Sequence, residues 1–134
     1  MIMLRFIKRF RAHNSGATTI EFAISFIVFV TTLFAVLEFG RIYWLRASLQ
    51  EAVNVAGRYV LLNASATDAQ IRTQVTNSAA GLVTANITTT ITSPTISGVN
   101  YKTIISTYPL PMMTYIMPGD SYTLTGTATV PLVP

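Results

Sequence analysis

The stretch FAISFIVFVTTLFAVL, residues 22–37, decides the architecture: sixteen consecutive residues without a charge. Extended back to Ala17, the run is interrupted once, by Glu21. A helix rises 1.5 Å per residue, so residues 17–37 span about 31 Å, close to the thickness of a bilayer's hydrocarbon core. The rest of this 134-residue chain is too small to wrap an all-round apolar rod, which argues against a buried core helix. Composition agrees, with 51% hydrophobic residues, 10% charged and a mean hydropathy of +0.50.

Charge placement orients the segment. Arg5, Lys8, Arg9 and Arg11 precede it with no acid among them, so the N-terminus is expected in the cytoplasm and the C-terminal part across the membrane. Without residues 1–16, five basic side chains face five acidic ones. The net charge of +4 is therefore a property of the tip rather than of a face suited to nucleic acid, and no nucleic-acid partner is expected. The absence of cysteine excludes disulfides, thiolate metal sites and a cysteine nucleophile. The single histidine, His13, lies in the basic tip, which removes a Ser-His-Asp triad from the folded part. Asp68, Asp120 and Glu51 are the acids left for a carboxylate-only site, and nothing in the sequence brings them together. The expectation is a protein that is not an enzyme and has no cofactor or metal.

A secretory signal peptide would show small residues in an A-x-A-like pattern after the apolar run, but the sequence there is EFGRIYW. Cutting before the run fits better. The junction reads HNSG-ATTIEF: Gly16 ends the basic stretch, and Glu21 and Phe22 follow four residues later. This resembles the prepilin peptidase signal of type IV pilins and, with Phe after Glu, of the Tad (Flp pilus) pseudopilins. Residues 36–59, VLEFGRIYWLRASLQEAVNVAGRY, resemble the second half of the TadE-like family motif. The resemblance covers about residues 15–59, a third of the chain.

The resemblance implies cleavage between Gly16 and Ala17 and an assembly contact formed by Ala17, Glu21 and Phe22, in which the Glu pairs with the N-terminal amine of a neighbouring subunit. It implies as partners prepilin peptidase, a TadF-like pseudopilin, the major Flp pilin, and the membrane platform with its ATPase. Placement would be single-pass in a bacterial inner membrane, with roles in adhesion and biofilm formation. Physics supplies a reason for the acid. An acid at the centre of a membrane helix costs about 2.5–3.5 kcal/mol, less near an end. Glu21 lies one turn from Ala17, where cleavage would create an ammonium. The alternative is a carboxylate that merely reaches the cytoplasmic interface.

A second cluster marks the far boundary. Glu38 and Arg41, at i and i+3, suit a helical ion pair; Tyr43 and Trp44 suit the interfacial belt; Gly40 suits a bend or a close helix neighbour. Anchoring and recognition both fit this cluster.

Beyond it, Ile42, Leu45, Leu49, Ala52, Val53, Ala56 and Val60 recur at three and four, with Arg46, Gln50, Asn54 and Arg58 on other faces. One helix is expected from Ala17 to Leu62, with Gly57 a weak point. Thr67 or Asp68 caps a second, with Ile71, Val75, Ala79, Leu82 and Val83 on one face. NITTTITS, YKTIISTY and SYTLTGTATV read as three strands, the last alternating with Tyr122, Leu124, Gly126, Ala128 and Val130 on one face and threonines on the other. Residues 108–120, YPLPMMTYIMPGD, read as an apolar loop whose prolines exclude a continuous strand; packing over the sheet edge and a contact surface both fit. The expected fold class is α+β: a long membrane-spanning helix continuing as an amphipathic one, then a second helix and a small antiparallel sheet, in a pilin-like layout. The divisions are a leader at 1–16, a membrane helix at 17–40 and an extracytoplasmic domain at 41–134. The alternative is an uncleaved single-span protein whose outer domain is a binding module.

Overall fold

The computed structural model describes residues 15–113 and 121–132. Residues 1–14 of the basic leader and residues 114–120 of the apolar loop lie outside the described residues. The elements are helix α1 (Ser15–Leu62), helix α2 (Asp68–Ser78), a 3-10 turn (Thr84–Asn86), and strands β1 (Thr88–Thr92), β2 (Thr95–Ile96), β3 (Val99–Pro111) and β4 (Ser121–Pro131). The chain divides into two compact units, with the boundary between Leu37 and Glu38.

The first unit, residues 15–37, is all helix. Its Ile, Val and Phe content would favour a strand in water, but in lipid each backbone amide needs an internal partner, which a helix supplies. Its large side chains are exposed, Phe22 at 68% and Ile27 at 65%. The hydroxyls of Thr31 and Thr32 donate back to the carbonyls of Ile27 and Val28, both at 2.8 Å, so neither needs water. The rings of Phe22 and Phe26 stack with centroids 5.8 Å apart. This is a helix long and apolar enough to cross a membrane.

The second unit begins at Glu38. The three-and-four spacing read from the sequence becomes one buried face of α1: Leu45, Leu49, Ala52, Val53, Ala56 and Val60. They pack with Ile71 and Val75 of α2 and with Ile104, Tyr108, Leu110 and Leu124 of the sheet. Small residues set the spacing between layers. A Cβ at Gly126 would lie 3.2 Å from the Leu49 carbonyl oxygen and 3.3 Å from the Gln50 Cα, so the strand approaches the helix where a side chain is missing. Gly57, expected as a weak point, is instead a contact: the helix runs through it unbroken, and a Cβ there would meet Val130 Cγ1 at 3.3 Å.

Helix α2 starts with a capping box. Gln70 N–H donates to Thr67 Oγ1 at 3.3 Å, and Thr67 N–H donates to Gln70 Oε1 at 2.9 Å. The helix ends at Ser78, earlier than its apolar pattern implied. Ala79 and Leu82 are buried from outside the helix and Val83 is exposed, because Gly81 at φ +76° turns the chain away.

The sheet is antiparallel, with β3 flanked by β1 and β4, and β2 pairing with the start of β3. The sequence indicated three strands; the fourth comes from TISGVN, where Ser97 (φ 52°) and Gly98 (φ 79°) close a two-residue hairpin between Ile96 and Val99. On the face of β4 read from the alternation, Leu124 and Gly126 are buried, Ala128 and Val130 half-buried, and Tyr122 at its start is 46% exposed. Prolines did not exclude a strand: β3 continues through Pro109, opposite Thr123, to Pro111, opposite Ser121. β1 ends opposite Thr107, so among the described residues β3 thereafter has one strand partner, and a proline can lack the donor on the other side. Buried Ser106 is satisfied by a 2.9 Å hydroxyl contact with Thr89.

Candidate assembly surface

Gly16, Ala17, Glu21 and Phe22 occupy the first turns of α1, and all four are exposed. A helix repeats every 3.6 residues, so Ala17 and Glu21 share one face one turn apart. A Cβ at Gly16 would meet nothing within 4 Å. The arrangement is a solvent-facing carboxylate beside the residue whose nitrogen cleavage would release.

The cluster expected where the segment leaves the membrane is only partly brought together. Glu38 is 6% exposed, and its Oε1 accepts from Arg41 Nη2 at 2.7 Å. The pair is not merely local. The same Arg41 Nη2 donates to the Pro111 carbonyl at 2.6 Å, and Glu38 Oε2 accepts from the Met113 N–H at 3.3 Å. An i,i+3 pair on α1 therefore holds the end of β3 and the residue just past it, seventy residues or more away. Arg41 Nε is buried with no partner among the described residues.

Tyr43 is 78% exposed and stands apart from this network. Trp44 is half exposed, with its ring over Gly81, where a Cβ would lie 2.3 Å from Trp44 Cη2. Gly40 has open space around it, and the helix continues through it.

Two further contacts had no signal in the sequence. Gln50, read as a polar residue on another face, meets the backbone of β4: its Nε2 donates to the Thr127 carbonyl at 2.9 Å, and the Thr127 N–H donates to its Oε1 at 3.2 Å. Pro111 and Met113 carry no side-chain chemistry that would mark them as partners of an ion pair. Among the described residues no group of three or more acidic or histidine side chains is placed to hold a metal.

The family model described as TadE-like protein matches residues 16–58. No curated protein and no solved structure matches the chain. The match begins at Gly16 and ends within α1, one residue short of where the resemblance read from the residues themselves ended, at Tyr59. Over residues 16–58, about a third of its length, the chain is similar to the TadE-like family, and its apolar N-terminal helix fits a single pass through a membrane.

Proposed function

We propose that the chain is a TadE-like minor pilin, or pseudopilin, that takes part in assembling or anchoring a Tad/Flp pilus for surface adhesion and biofilm formation. Prepilin peptidase removes residues 1–16 on the cytoplasmic side of the inner membrane. The observation that carries this reading is the start of the family match at Gly16, between a basic leader and an apolar helix. Cleavage places the Ala17 ammonium one turn from the exposed Glu21 carboxylate. A subunit's own amine and that of a neighbour then compete for one acid near the lipid boundary, where a charge-assisted pair is stronger than in water.

The exposed rod of residues 17–37 holds the subunit in the bilayer before assembly and packs among other pilin helices afterwards. Its partners are a TadF-like pseudopilin, the major Flp pilin, and the membrane platform with its ATPase. The protein works by contact rather than catalysis, in keeping with a family that is generally non-enzymatic.

Two measurements test the reading. Protein copurified with the pilus should begin at Ala17 by intact mass and N-terminal sequencing; retention of residues 1–16 would point to an uncleaved single-span binding protein instead. Glu21→Ala should lose incorporation into the pilus or its base while the chain still enters the membrane. Normal incorporation of that variant would end the assembly role of Glu21.

A further inference from the structure

Strand β4 has β3 on one side and, among the described residues, no strand on the other. In an antiparallel pair, alternate residues turn both N–H and C=O towards the same neighbour. The Thr127 N–H and C=O go to the Gln50 side-chain amide, so Thr127 faces the outer edge. Thr123 and Thr125 share its phase and present their backbone groups to that same edge. Among the described residues nothing from another element meets them. Gln50 thus supplies, at one position, what an added strand would supply along the whole edge.

One turn before Gln50 on α1 stands Arg46. It is exposed and, among the described residues, without an ion-pair partner. Arg46 and residues Tyr122, Thr123, Leu124 and Thr125 line an open groove of about 200 Å³ beside this uncovered length of strand. Tyr122 among them is 46% exposed. Exposed edges are usually blunted by charge, proline or a bulge. From Ser121 to Val130, β4 carries none of these, and Pro131 comes only at its end.

We propose that the outer edge of β4 at Thr123 and Thr125, beside Arg46, accepts an extended segment of another protein that carries an acidic side chain. Backbone pairing supplies affinity, and the carboxylate on Arg46 fixes register and choice of partner. The acid comes from a different protein because this chain has few to offer. Of its five acids, Glu38, Glu51 and Asp68 already pair with Arg41, Arg58 and Lys102. The other two are Glu21, in the apolar part of α1, and Asp120, just before β4; β4 itself has none.

The test uses the full chain in detergent micelles, with amide hydrogen exchange read residue by residue. The probe is a blocked heptapeptide of alternating threonine and valine with a central aspartate. Its counterparts carry asparagine or lysine at the centre. The aspartate peptide should slow exchange at Thr123 and Thr125 saturably, and more weakly at high salt. The lysine peptide should bind at least about tenfold more weakly, and Arg46→Glu should reverse that order. Thr123→Pro removes an outward donor only, so it should keep the fold, checked by circular dichroism, and lose the protection.

Equal binding of all three peptides, or none at millimolar concentration, would overturn the proposal. So would slow exchange at Thr123 and Thr125 before any peptide is added, whether the cover proves to be a second copy or a segment of the same chain. Leader cleavage plays no part in these measurements, so their outcome is independent of the pilus reading.

Discussion

Glu38 shows how one residue can mean more in the fold than in the sequence. Its spacing from Arg41 already indicated an ion pair, and pairs of this kind on an exposed helix contribute only about 0.3–0.5 kcal/mol. Burial changes the size of the effect. The carboxylate is 6% exposed and accepts from both Arg41 and the Met113 backbone, so removing it takes a buried acceptor from both. Glu38→Ala should lower stability by about 1–3 kcal/mol, read as a shift in the denaturant midpoint of the full chain in micelles. Glu38→Gln keeps one acceptor oxygen and should lose less. A loss below about 0.5 kcal/mol for the alanine variant would mean that the contact with the end of β3 contributes nothing beyond a surface pair. The partners at Pro111 and Met113 were not legible because backbone groups carry no sequence signature.

Among the elements, the helices were the most legible and the sheet edges the least. The apolar period of α1 reports a face that any packing partner would use, so Leu45 to Val60 could be assigned to the core without knowing that partner. The start of α2 was equally local. Thr67 and Gln70 satisfy each other across three residues, and Thr67→Ala should cost about 1 kcal/mol, measured by equilibrium unfolding. Its end was not local, because Ala79 and Leu82 stay in the apolar core while Gly81 carries the chain out of the helix. The extension of β3 through Pro109 and Pro111 escaped the sequence for a similar reason. Proline is excluded from a strand with neighbours on both sides, and only the pairing shows that β1 has stopped by then.

On the scale of the whole molecule, the two units answer to different solvents. In residues 15–37 side chains such as Ile27 contact nothing that buries them, so their apolar character has its use outside the chain. Ile27→Arg should therefore leave the packing of the second unit unchanged but cost about 2.5–3.5 kcal/mol of membrane insertion. Fractionation with alkaline extraction checks this: the variant should move from the membrane pellet to the soluble or degraded fraction. Unchanged retention would argue that the segment does not cross the bilayer.

By itself the sequence determined whatever is written in neighbouring residues. That covers the apolar rod, its basic flank, the Gly16–Glu21 spacing with its TadE-like resemblance, the amphipathic second half of α1 and the cap of α2. Each depends on a helical repeat or a local hydrogen bond, which a few consecutive side chains fix. Tertiary structure alone decided what distant residues do to one another: the hold of Glu38 and Arg41 on the end of β3, the closeness of Gly126 to α1, and the Gln50 amide on Thr127. Such contacts depend on where the backbone passes, and the chain writes no local mark for a carbonyl or an amide that will be met seventy residues later.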